Sequence, residues 1–292
     1  MLTLRKRLEQ EARKSRSRLD VVQQDYLLTW LLQAISHSPE LSEHLVFKGG
    51  TALKKCYFGE YRFSEDLDFT ATPSAPRRHD LLQAIEQVCH EVERGIGQYG
   101  PIQVVMERYR EREPHSADQE AFTVRAQFPW QHRPLTRVMI EVSFSETLVL
   151  PPIHRPLLNS YEDGLVGPIM TYSLDEIVLE KLRAVLQQTK KLHERSWSRS
   201  RARDYYDLWQ ILCRLGYTPS VAEWHSLLEA KCASKEVGFS GTESFFAPVM
   251  VADVRRTWEQ WVGPLVADLP PVDQVIDELT LAIDSLFAVS HA

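Results

Sequence analysis

The chain changes character near residue 150, and that change most constrains what it can fold into. Before it, helical and strand patterns intermix; beyond Ser173 nearly every segment repeats its apolar residues at helical spacing. Residues 19–35 predict a helix, with Val22, Tyr26, Leu27, Trp30, Leu31 and Ala34 in register. Residues 45–47 predict a short strand running into Gly49 and Gly50, residues 51–57 look like a helix start, and residues 67–70 alternate like a second strand. Residues 79–94 predict a helix broken by Gly95, Gly97 and Gly100. Residues 102–107, 122–127 and 137–144 are β-rich, the last alternating Val138, Ile140, Val142 and Phe144 against Met139, Glu141 and Ser143. Pro151, Pro152, Pro156 and Pro168 predict an irregular break, and helices are expected over 174–188, 203–215, 221–230, 254–261 and 271–288. Strands and helices do not alternate regularly, so a doubly wound parallel sheet is not expected. The expected class is α+β, with a helical segment (1–40), a mixed-sheet core (41–160) and an all-helical C-terminal domain (161–292).

Composition narrows the function. With 292 residues, 43% hydrophobic and 25% charged, the chain can bury a core, which excludes a disordered or fibrous protein. A net charge of −6 argues against a general nucleic-acid coat, because phosphate binding needs cationic surface. That sum hides residues 181–203, which carry eight basic side chains against one acidic, a local +7. Cys56, Cys89, Cys213 and Cys232 form no close pair, so neither disulfides nor structural zinc is indicated. With no apolar leader at residue 1 and no run of the roughly 18 apolar residues a span needs, a cytoplasmic protein without membrane contact is expected.

The chemistry begins at Phe47-Lys48-Gly49-Gly50-Thr51. Two glycines between a strand and a helix allow close backbone approach to a ligand, and the helix start offers N–H groups to an anion. Arg62-Phe63-Ser64-Glu65-Asp66-Leu67-Asp68 follows. In a strand Asp66 and Asp68 share a face, so their carboxylates can reach one or two divalent cations. Glu141 sits in an otherwise apolar strand, either on the exposed face of a half-buried strand or aimed at the same cleft. Arg62 is read as a structural partner of Asp66, with phosphate contact as the alternative. The histidines show no zinc-hydrolase spacing, Cys56 reads as core, and Trp209, Trp224, Trp258 and Trp261 read as packing.

Gly49-Gly50-Thr51 followed by Ser64-Glu65-Asp66-Leu67-Asp68 resembles the signature of DNA polymerase β-like nucleotidyltransferases, in particular the AbiEii/MenT-type toxins of bacterial toxin–antitoxin and abortive-infection systems. Glu180-Lys181-Leu182-Arg183-Ala184 resembles that subgroup's lysine helix, and Arg201-Ala202-Arg203-Asp204-Tyr205-Tyr206-Asp207-Leu208 resembles its Arg-x-x-Asp-x-x-Asp-Leu motif. The resemblance spans residues 46–209. It implies that Gly49, Gly50, Thr51 and Ser64 hold the nucleotide and that Asp66 and Asp68 hold magnesium, with Glu141 as a possible third ligand. It further implies that Lys181 binds the triphosphate and that Asp204 is the required fourth-motif acid, while Asp207 is either a second partner or a structural cap. Two departures are a glutamate as third carboxylate and Thr51 where many such enzymes use serine. The implied activity is transfer of NMP from an NTP to an acceptor hydroxyl, with a tRNA 3′ end as favoured acceptor and an antitoxin protein as partner. The alternatives are transfer to a small molecule or protein side chain, and a degenerate fold that only binds. Lys181, Arg183, Lys190, Lys191, Arg195, Arg199, Arg201 and Arg203 bracket the last two motifs, which suggests a polyanionic acceptor, with residues 192–200 as a loop over it.

Overall fold

Alternation in the N-terminal half builds a mixed sheet. The computed structural model describes residues 3–109, 119–194 and 200–288. Within them the strands are β1 (Leu45–Lys48), β2 (Asp66–Ala71), β3 (Gln103–Arg108), β4 (Gln119–Gln127), β5 (Thr136–Ser143), β6 (Ile153–Pro156) and β7 (Pro168–Thr171). Their order is β3-β4-β5-β2-β1-β7-β6, with β2–β5 and β1–β7 parallel and the other pairs antiparallel. The residues out of phase with the acids, Phe47, Leu67, Phe69, Phe122, Ile140 and Val142, are buried almost completely. Each contributes about 1.5–3 kcal/mol through that burial. Helix α1 (Leu4–Lys14) packs on α2 (Leu19–His37), which packs against β5 and α4 (His79–Gly97). The four residues of α3 (Gly49–Ala52) continue into a π-helical turn, Leu53–Phe58.

Two local expectations change. Helix α4 runs through Gly95 to Gly97. Gly95 is required there by packing, because a Cβ would lie 2.2 Å from Trp30 Cζ3. The proline-marked stretch contains β6 and β7, which pair with Pro156 opposite Pro168. Proline is tolerated there because β6 is the sheet edge and Pro168 is the first residue of its strand. The compact unit holding the sheet comprises residues 1–146 and 152–172, so it includes the N-terminal helices and extends past residue 160.

The second unit comprises residues 147–151 and 173–292. Its long elements are α5 (Leu174–Glu194), α6 (Ala202–Trp209) with a π-helical extension (Gln210–Arg214), α7 (Trp224–Ala233), α8 (Pro248–Trp261) and α9 (Val272–Ala288). Trp209, Trp224 and Trp258 are buried, as expected for packing. Trp261 instead is 41% exposed, with the Arg203 guanidinium 5.3 Å from its ring centre. The Glu176 carboxylate accepts hydrogen bonds from the Val149 and Leu150 N–H groups and from Lys231 Nζ, which also donates to the Thr147 carbonyl. One buried ion pair thereby ties the short 147–151 segment to the helices. No described helix is long and apolar enough to cross a membrane.

Candidate active site

Sheet register brings the predicted acids together. Asp68 is the Cα partner of Lys48 across the antiparallel β1–β2 ladder and of Glu141 across the parallel β2–β5 ladder. Directly paired residues share a face, and Asp66 shares it by the two-residue period. All three acids are half-buried. Glu141 is therefore on the same face of the sheet as Asp66 and Asp68. Gln119 Nε2 donates to Glu141 Oε2 at 2.8 Å, an orienting contact between β4 and β5 that no sequence signal announced.

The glycine turn closes on this row. Gly49 has φ +80°, and a Cβ there would lie 2.8 Å from Asp68 Oδ2, so only glycine lets the turn approach the carboxylate. Thr51 is buried, and its Oγ1 donates to the Asp66 carbonyl at 2.7 Å. The hydroxyl donor thus ties the glycine turn to the backbone of β2. Gly50 lies beside it in α3, half-buried. Ser64 is half-buried in the irregular segment before β2, and its hydroxyl makes no hydrogen bond among the described residues. Arg62 is buried, with Nη1 donating to the Phe63 carbonyl at 3.3 Å. Cys56 is fully buried and its thiol is pushed up to about 12 by burial, consistent with a core role.

Carboxylate oxygens suit a hard divalent cation. Magnesium is ordinarily held by one or two carboxylates together with substrate phosphates, not by an all-protein cage. Among the described residues no group of three or more His, Cys, Asp or Glu side chains is arranged to hold a metal ion. The donor set therefore fits a cation that Asp66 and Asp68 share with a nucleotide, and not a preassembled three-carboxylate cage.

In the second unit, Lys181 on α5 is buried and bridges two acids on α6. Its Nζ donates to Asp204 Oδ1 at 2.9 Å and to Asp207 Oδ2 at 2.7 Å. Arg201 Nη1 donates to Asp204 Oδ2 at 3.1 Å. Burial works against ionising Asp204, but Lys181 and Arg201 outweigh it and hold its carboxyl well below the usual range. Asp207, ranked behind Asp204 from sequence, is completely buried and equally bound to Lys181. Its signal was present: the two acids are three positions apart, which places them on one helical face.

The basic stretch reads differently once folded. Arg183 is buried, donating to Glu180 and Gln187, while Lys190 donates to the Glu236 carbonyl and Arg203 Nε to the Trp261 carbonyl. Together with Lys181 and Arg201, these cations hold protein groups. Arg195 and Arg199, and most of the loop expected over 192–200, lie outside the described residues. A separate cavity of about 540 Å3 between α2 and α4, lined by Trp30, His37, Glu91 and Arg94 among others, includes none of Asp66, Asp68, Glu141, Asp204 and Asp207.

A glycine turn folded onto paired strand acids, on a mixed sheet followed by a helical unit, defines a polymerase β-like nucleotidyltransferase. The comparison with protein families then gives the particular group. The family described as "Nucleotidyl transferase AbiEii toxin, Type IV TA system" matches residues 30–278, most of the chain, and the chain belongs to that family. No curated protein matches the chain.

Proposed function

We propose that this enzyme transfers NMP from an NTP to an acceptor hydroxyl in a magnesium-dependent reaction, with the 3′ end of tRNA as acceptor, acting in the cytoplasm as a toxin restrained by a cognate antitoxin. The observation that supports this reading is the row Asp66, Asp68 and Glu141 beside the Gly49 turn. Asp66 and Asp68 would hold the cation, with Glu141 adjoining them, while the Gly49–Gly50–Thr51 backbone and Ser64 meet the phosphates. When bound, the cation neutralises phosphate charge and lowers the pKa of an attacking hydroxyl. In the transfer, the acceptor oxygen bonds to the α-phosphorus as the α–β anhydride bond breaks. Pyrophosphate leaves and the hydroxyl proton passes to solvent or a nearby base. The same family reading gives Lys181 and Asp204 a part in the activity. The ion pairs of Lys181 qualify its assigned role, because a lysine between two carboxylates presents little net charge to a triphosphate.

The test incubates the purified protein with each labelled NTP, magnesium and total tRNA. Labelled tRNA from the wild type, and at least a roughly hundredfold loss in Asp68→Ala with unchanged melting behaviour, is the expected result. The proposal is overturned if no label is transferred and Asp68→Ala still arrests growth on expression. Label on a small molecule or protein instead would redirect the acceptor and leave the transferase chemistry standing.

A further inference from the structure

We infer that Lys48, which neither the motif reading nor the family resemblance assigns a role, binds a phosphate of the nucleoside triphosphate at the acidic row. The inference rests on the reading of that row as a nucleotide site. Lys48 is the last residue of β1 and immediately precedes the glycine turn. As the antiparallel partner of Asp68 it shares the acids' face, with Cα atoms about 5 Å apart by ladder geometry. The row across the sheet therefore runs cation, carboxylate, carboxylate through Lys48, Asp68 and Glu141.

The surroundings of its ammonium single it out. Among the described residues the Lys48 side chain makes neither hydrogen bond nor ion pair, and its Nζ lies over the Tyr172 ring, 6.0 Å from the ring centre. The neighbouring lysines are satisfied by the protein itself. Lys54 donates to the Gly59 and Tyr61 carbonyls, and Lys55 to Asp25 and Thr29. Tyr172 is completely buried and its hydroxyl is hydrogen-bonded to Thr70 Oγ1 at 2.6 Å, so the ring is a fixed platform. A ring face attracts a cation while leaving its three N–H donors uncommitted. The ammonium of a half-buried lysine held this way, beside a turn whose backbone can approach an anion, is suited to a phosphate oxygen.

Two measurements test this. Calorimetry compares Mg-NTP with the corresponding nucleoside on the wild type, Lys48→Met and Lys48→Arg, each checked by thermal melting. Loss of one charge-assisted contact predicts NTP binding at least roughly tenfold weaker in Lys48→Met, with Lys48→Arg nearer the wild type and nucleoside affinity unchanged. In wild-type protein, amine-reactive labelling followed by mass spectrometry should show Lys48 protected by Mg-NTP and not by nucleoside, which needs no variant to fold. Equal NTP affinity in Lys48→Met, or no protection of Lys48 while NTP binds, overturns the inference alone. Absence of any NTP binding to the wild type instead overturns the nucleotide-site reading on which it rests.

Discussion

At Asp204, burial and two cations pull in opposite directions, and the cations prevail. Its folded value lies below the usual 3.8. Ionised Asp204 therefore contributes stability that is fully present above the unfolded value and is lost as pH falls through the folded one. Asp204→Asn should destabilise the helical unit at pH 7 by about 1–3 kcal/mol, the range for one charged hydrogen-bonding partner. Lys181 keeps Asp207 in that variant, which limits the loss. Thermal melts should show the gap to wild type narrowing as pH drops below about 4. A gap that stays constant below that pH would refute the ion-pair account. The identities of Asp66, Asp68, Lys181 and Asp204 were legible as motif residues. That Asp207 shares Lys181 equally was not, because helical spacing shows two acids on one face without saying where the lysine ends.

Elements divide by how much of their cause is local. The β2 and β5 strands were readable because one face is apolar and the other polar, a period-two signal. β6 and β7 were not, since four-residue strands containing proline carry almost no periodicity of their own and exist by pairing, β6 with β7 and β7 with β1. Helix α4 shows the converse, a glycine that reads as a breaker and is instead a contact with Trp30. Gly95→Ala gains about 1 kcal/mol of helix propensity and should nonetheless destabilise, because overpacking against an indole costs about 1–3 kcal/mol. Gly97, where a Cβ would meet nothing within 4 Å, provides the control. Gly97→Ala should be neutral or stabilising, and denaturant titration of the two variants would separate packing from propensity.

At the level of the whole molecule, each compact unit contains its own charge arrangement. The sheet unit leaves Lys48 and the acidic row beside a glycine turn, whereas the helical unit buries its charges against one another. Lys231 and Glu176 are both almost inaccessible, and burial raises the Glu176 pKa despite the neighbouring ammonium. Such a pair adds little net stability, yet removing one partner strands the other, at about 3–5 kcal/mol. Lys231→Met should lose about that much and expose residues 147–151 to protease, read as cleavage near Thr147 in a limited digest. Equal protease resistance would show that the segment is held by other contacts.

Sequence by itself determined the class of fold, the order of the motifs and the family, because periodicity and motif spacing are local properties written along the chain. Tertiary structure alone decided that Glu141 and Lys48 flank Asp68, since strand register is a pairing between distant segments. It also decided the fate of the +7 stretch, whose described arginines and lysines mostly hold protein groups. Net charge adds up along the chain, but whether a cation faces a ligand or a carboxylate depends on what folding brings within 3 or 4 Å of it, roughly hydrogen-bond and ion-pair reach.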